Sequence, residues 1–483
     1  MLEKALFLQK KKAIIKNKAF RSTNMYTLSS KLKLTAIIFV IVGAIGLVIG
    51  FLQAPSDLDD VREMMAAEEH HADPAESTMV EADFAKAEHG MLLDDEPGRN
   101  VEEKEDQAAE AGSHDTEHLE HKLHQLQNKP WAAVYVAAFF FFMISLGVLA
   151  FYAVQYAAQA GWSPVLFRVM EAITAYLVPG GIILFVLLVL SGMHMNHLFI
   201  WMDPEVVEND AIIRNKSSYL NLPFFLIRAA IYLGGWFIFR HFLVRNSRRL
   251  DEASDNYYFK KNFKLAAGFL VFFIVSESMM SWDWIMSLDP HWFSTLFGWY
   301  VFASLFVSGI TVIALISIYL KSRGYLPFVN DSHIHDLAKF MFGMSIFWTY
   351  LWFSQFMLIW YSNIPEEVVY FISRIENYSL PFFGMVGLNF IFPLLMLMNS
   401  DYKRVNWFVV LTGIVILVGH YVNVFVMIMP STVGESWFIG LPEISAVLLF
   451  AGLFIFVVFN ALTKAPLLAK RNPFIKESEH FHY

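Results

Sequence analysis

Ten apolar runs divide the chain, at roughly 34–52, 131–154, 173–194, 222–242, 263–286, 295–320, 337–360, 380–398, 406–428 and 440–462. A helix needs about 20 apolar residues to cross a hydrocarbon core of about 30 Å, and the runs are of that order. The pattern predicts an all-α integral membrane protein with ten transmembrane helices. Two runs carry helix breakers, Val178-Pro179-Gly180-Gly181 in the third and Phe392-Pro393 in the eighth. A proline within a membrane helix frees a carbonyl and bends the axis. Broken spans are common in secondary transporters, which makes a free-standing transporter a rival reading, although hydropathy shows no clear inverted repeat.

The connections alternate in charge. Residues 1–33 carry nine Lys or Arg, and segment 243–262 carries Arg245, Arg248, Arg249, Lys260 and Lys261. Further basic residues follow in 321–336, 399–405 and 463–483, whereas the intervening short loops hold only Arg214, Lys216 and Arg374. By the positive-inside rule both termini are cytoplasmic, as an even number of spans requires. The basic tail and the run 34–52 are read as a cytoplasmic tail and an uncleaved anchor helix rather than a signal peptide, because the following residues make a poor cleavage site. Residues 1–24 look unlike the rest, and Met25 is an alternative start.

Composition supports a lipid environment. Charged residues are 17% of the chain and apolar residues 56%, against about 25% charged in soluble domains. The 47 Phe, 19 Tyr and 13 Trp suit aromatic belts at two interfaces. The absence of cysteine excludes disulfides, thiolate-bound iron–sulfur clusters and c-type haem attachment. The net charge of −8 is unevenly spread: 53–130 holds 22 acidic and 6 basic residues. That acidic segment, expected outside, reads as disordered or loosely helical, with Asn128-Lys129-Pro130 starting the second span. His114, His118, His121 and His124 share one helix face at spacings that suit a divalent metal, set against the reading of a solvated acidic tether. The membrane body comprises 131–462, with bundles at about 131–286 and 295–428, a last helix at 440–462, and a cytoplasmic tail at 463–483.

Ionisable groups inside spans are functional-site candidates because hydrocarbon penalises them. Counted at about 1.5 Å per residue, Arg228, Glu277, Asp283, His420 and Glu443 fall in the outer half, with Gln355 and Asn389 as amide partners. His194 and His197 end the third span one turn apart. The inner half is thinner, with Glu171, Tyr176, His241 and Lys339. Four readings stay open. Arg228 and Glu277 form a structural ion pair with His420 a core histidine; or the set is an outward proton half-channel; or it is a quinol pocket; or His194 and His420 ligate a haem. Asp203-Pro204 and Asp289-Pro290 read as turn devices after Trp-containing helix ends.

Longer motifs then carry a resemblance. The stretches Phe272–Phe293 (FFIVSESMMSWDWIMSLDPHWF), Ala160–Phe167 (AGWSPVLF), Phe347–Glu367 (FWTYLWFSQFMLIWYSNIPEE) and Ala469–Ile475 (AKRNPFI) closely resemble the F-subunit family of alternative complex III, itself similar to polysulfide-reductase-type (NrfD-like) membrane subunits. The likeness runs from about Met25 to Tyr483 and is weakest across the acidic segment. It implies eight central helices in two four-helix bundles, spans 2–5 and 6–9, with spans 1 and 10 flanking. It implies a bacterial inner-membrane subunit of a respiratory quinol:electron-acceptor oxidoreductase that binds no redox cofactor itself. It further implies quinol as the substrate of the complex, and partners comprising a sister C subunit with the quinol site, an iron–sulfur subunit, multihaem and monohaem cytochrome c subunits and a terminal oxidase. No nucleic-acid partner is expected. Within such a complex Glu277, His420, Arg228 and Asp283 are the foremost proton-transfer candidates, followed by Glu443, His194 and Gln355; a scaffold role is the alternative.

Overall fold

The computed structural model describes residues 25–69 and 101–482; residues 1–24, 70–100 and Tyr483, and the side chains of Glu63, 65–69, 101–118 and His121, lie outside the described residues. All ten apolar runs are helices long and apolar enough to cross a membrane. The first half contains α1 (Ser30–Leu52), α2 (Leu58–Glu69), α3 (Val101–Ala157), α4 (Phe167–Ile173), α5 (Leu177–Gly192), α6 (Pro204–Asn209), α7 (Ala211–Lys216), α8 (Leu222–Leu250) and α9 (Tyr257–Trp284). The second contains α10 (Phe297–Ser322), α11 (Asp331–Ser362), α12 (Pro365–Glu376), α13 (Ser379–Val386), α14 (Phe392–Leu397), α15 (Asn406–Val433), α16 (Leu441–Leu462) and α17 (Ile475–Glu479). The described residues form an all-α membrane fold.

Two helix rings share a wall. In the first, α3 packs on α5, α5 on α8, α8 on α9 and α9 back on α3. In the second, α10 packs on α11, α11 on α14, α13 and α14 on α15, and α15 back on α10. Helices α3 and α10 cross between the rings and are the most deeply buried spans. Their approach depends on glycine. A Cβ on Gly147 would sit 2.0 Å from the Leu305 carbonyl oxygen, and one on Gly309 would sit 2.9 Å from the Val148 nitrogen. Lipid offers no hydrophobic drive for helix pairing, so such backbone-to-backbone contact supplies the packing energy. The flanking pair uses the same device: Gly43 of α1 faces the Leu449 backbone of α16, and Gly452 of α16 faces the Ala36 carbonyl.

The two spans expected to be interrupted, at Pro179 and Pro393, are broken one turn ahead of the proline, whereas α3 and α15 run on through Pro130 and Pro430. A 3₁₀ turn at Thr174–Tyr176 precedes Pro179, and a π turn at Gly387–Ile391 precedes Pro393. Each proline lacks the N–H that the carbonyl four residues back requires, so the preceding turn tightens or widens. The start of the second span differs from expectation. Helix α3 continues through Pro130 as far back as Val101, because the preceding Ala-, Glu-, Lys- and Gln-rich sequence favours helix. Asn128 does not cap it. The Asn128 amide instead donates to the His197 carbonyl at 3.0 Å and accepts from the His197 N–H at 2.9 Å.

The loops sort to two ends. One, the basic end, joins Thr27 to Tyr325, Arg471 to Asp251 and Ser478 to Trp162. The other, the acidic end, joins Gln127 to Pro55, Lys216 to Pro290 and Trp437 to Asn377.

Candidate functional site

The sequence brings two acids within reach of Arg228, and the structure selects the nearer to the helix end. Arg228 of α8 donates from Nε and Nη2 to Asp283 of α9, at 2.8 and 2.9 Å, and from Nη1 to the Tyr219 carbonyl at 3.0 Å. Tyr232 donates to the same carboxylate at 3.0 Å. The guanidinium also lies over the Tyr219 and Phe224 rings. This bidentate pair is buried and its acceptor capacity is largely used. The expected Arg228–Glu277 ion pair is therefore not formed: Asp283 takes the charge, and Asp283 and Arg228 compensate each other rather than standing free.

Glu277 remains without such a partner. It is 2% exposed on the inner face of α9, and among the described residues its Oε1 has no hydrogen-bond partner. Its neighbour Ser276 is occupied by the Trp236 indole N–H at 2.9 Å. An uncompensated ionised carboxylate at such a position is costly.

The second ring holds a longer polar seam. His420 of α15 is fully buried, neither imidazole nitrogen has a partner, and its ring meets the edge of Trp348 at 5.4 Å. One turn on, Asn423 accepts from the Tyr300 hydroxyl and donates to Ser304 at 3.0 Å. Asn389 comes from the π turn, also fully buried and with both amide atoms unpartnered. Its approach requires glycine at 419, where a Cβ would lie 2.3 Å from the Asn389 oxygen. Pro393 thus has a local consequence: the widened turn delivers an amide beside the residue preceding His420.

Gln355 lines a small cavity with Tyr300, Tyr370 and Arg374. Arg374 was legible in the sequence only as a loop cation. Helix α12 instead buries it at 2% exposure, with its guanidinium 3.4 Å over Tyr370, which stacks on Trp292. Arg374 donates to the carbonyls of Tyr370 and Val426 and, among the described residues, makes no ion pair. The cavity measures about 20 Å³, room for a water molecule but far below the roughly 300 Å³ of a small-molecule pocket.

A larger cavity of about 390 Å³ opens at the acidic end, lined by His124, Asn128, His194, His197 and Asp203. His194 and His197 are not one helical turn apart. Helix α5 ends at Gly192, and His194 turns out at φ 56° and is exposed. His124 meets the edge of the His197 ring at 4.5 Å. Burial, and then the nearby His124, holds the His197 imidazole below its usual range. Asp203 caps α6 through the Glu205 N–H, confirming the turn. The cavity wall includes Pro430, and His420 lies ten residues, about 15 Å, further along α15. His420 is fully buried in α15, whereas His194 is exposed at the acidic end. The helix face bearing His114, His118 and His121 lies outside the described side chains, and among the described residues no group of three or more His, Asp or Glu is placed to hold a metal.

Glu443 has a local structural task. Its Oε2 accepts the Gly440 N–H at 2.8 Å, capping α16, while Oε1 has no partner. The basic-end half is richer than expected. Glu171 accepts from Tyr152 at 2.9 Å, from Arg168 at 2.6 Å and from Ser247 at 2.5 Å, and Arg168 also pairs with Asp251 at 2.5 Å. Arg168 was missed because it precedes the apolar run, on α4. Of the other expected inner groups, His241 is exposed, Tyr176 is buried, and Lys339 pairs with Asp336 at 2.9 Å.

The chain matches no protein-family profile and no curated protein sequence.

Proposed function

We propose that this chain is a membrane subunit of a respiratory quinol:electron-acceptor oxidoreductase of the alternative complex III type, and that it carries protons rather than electrons. The motif stretches quoted above support the family reading. The observation that supports proton transfer is that Glu277 in the first ring and His420 in the second are buried mid-span with polar atoms that, among the described residues, have no hydrogen-bond partner. Carboxylates and imidazoles are the side chains suited to relay protons through a membrane. Arg228, Asp283 and Glu443 then serve as fixed structure around that route, and the His-lined cavity at the acidic end is its aqueous mouth.

In this reading the basic end faces the cytoplasm of a bacterial inner membrane, following the positive-inside rule. Quinol is oxidised by a sister NrfD-like subunit. Iron–sulfur and c-type haem groups reside in partner subunits, from which a terminal oxidase takes electrons. A small cavity beside Gln355 disfavours a quinol pocket there. The alternative of a purely structural scaffold is separated by one experiment. Affinity purification in mild detergent should recover haem-bearing and iron–sulfur partners. In the reconstituted complex Glu277→Gln should lower protons released per quinol while electron transfer continues. Unchanged proton release with Glu277→Gln and with His420→Gln would leave the scaffold reading. A lone, colourless polypeptide would reject the respiratory reading altogether and favour a transporter.

A further inference from the structure

Helix α8 presents one continuous face to the surroundings. Ile227, Ile231, Ile238 and Phe242 are exposed along it, at the four- and seven-residue steps that keep side chains on one face. The same face continues past Phe242 to Arg245 and Arg249, both exposed. An apolar stripe therefore turns cationic within one turn, at the level where a lipid's acyl chains give way to its headgroup. The cationic part opens into a groove of about 540 Å³ between the end of α8, the break before α5 and the end of α16. Its walls carry Arg240, Arg245, Arg248, Arg249 and Lys464, with His241 beside them and Glu252 as the one carboxylate.

These cations are not spent on the protein. Among the described residues none of the five makes an ion pair. Arg240 Nε donates to Thr174 at 3.2 Å, and the Arg248 Nε is buried without a partner. The neighbouring Asp251 is turned away to Arg168 and the Arg471 amide. Arg248 and Arg249 lie in the last turn of α8, where the helix dipole favours positive charge, but the five cations gathered in the groove repel one another. An anion with more than one negative oxygen group relieves that repulsion.

We propose that this groove binds the headgroup of an anionic phospholipid, its phosphate esters held by Arg240, Arg245, Arg248, Arg249 and Lys464 and its acyl chains lying along Ile238 and Phe242. Basic pockets between helices at a membrane surface recognise such headgroups. The excess of cations favours a two-phosphate lipid over a single-phosphate one. The site is independent of the proton reading.

The test uses the full-length chain, purified with whatever subunits accompany it and stripped of lipid by detergent exchange. Native mass spectrometry follows rebinding of diphosphatidylglycerol, of phosphatidylcholine and of inorganic phosphate. Preferential retention of diphosphatidylglycerol is expected. Arg245→Gln with Arg249→Gln should weaken it about 25-fold, at about five-fold per cation. Lys260→Gln with Lys261→Gln, at the same end outside the groove, should leave it unchanged. Equal retention of phosphatidylcholine by the wild-type protein would overturn the proposal without recourse to any variant. So would equal weakening by both double variants, and so would full competition by millimolar inorganic phosphate, which would make the groove a free-phosphate site.

Discussion

Asp283→Asn probes whether the Arg228–Asp283 pair is fixed structure. The carboxylate accepts from Arg228 Nε and Nη2 and from Tyr232, and both charged groups are buried, at 3% and 0% exposure. Asparagine keeps the shape but removes the charge, and it offers one acceptor oxygen where two were used. The guanidinium is then left buried, with the Tyr219 carbonyl and aromatic faces as its chief remaining partners. Breaking a buried pair by removing one member costs about 3–5 kcal/mol. Replacing both, as Arg228→Met with Asp283→Leu, leaves no stranded charge and should recover most of that loss. The assay is unfolding in mild detergent followed by tryptophan fluorescence, to which the adjacent Trp284 contributes. The reasoning is refuted if Asp283→Asn costs less than about 1 kcal/mol, or if the double variant is no more stable than either single one. Proton release per quinol in the double variant should match wild type; a loss there would return Asp283 to the relay.

Three further outcomes are expected. Gly147→Ala should destabilise by about 1–3 kcal/mol, because its Cβ would meet the Leu305 carbonyl oxygen at 2.0 Å and neither backbone can yield alone; thermal stability in detergent measures it. Gly43→Leu should release α1 from α16 without unfolding the two rings, seen as new protease cleavage near residue 53 with the remaining core intact. The His197 imidazole binds a proton less readily in the folded protein than in the unfolded chain, so its contribution is fully present above about pH 6.5 and is lost as pH falls below it. A pH series of unfolding midpoints should show this decline, and His197→Gln should flatten it.

Much of the polar chemistry could be anticipated, because an ionisable or amide group in an apolar run is conspicuous. Glu277, His420, Gln355 and Asn389 were found that way and all are buried. Arg374 and Arg168 were not, because each lies outside an apolar run and looks like an ordinary loop or helix-end cation. Their burial comes from α12 packing on α11, α13 and α15 of the second ring and from α4 packing against α3, α10 and α16. No one-dimensional signal marks either event.

Hydropathy alone determined the ten spans, because the cost of unsatisfied backbone in lipid leaves a long apolar run no other structure than a helix. The mid-span prolines Pro179 and Pro393 marked both breaks, since each removes a hydrogen bond to the turn before it. What tertiary structure decided was pairing. Glu277 and Asp283 are six residues apart on α9, about 9 Å along the axis and about 240° around it, so one arginine cannot serve both. Which acid meets Arg228 depends on the rotation of α8 against α9, and that rotation is set by packing across the whole ring. The same packing joins Asn389 to Gly419 and brings Lys464, beyond the end of α16, to the four arginines of α8, relations that no local pattern encodes.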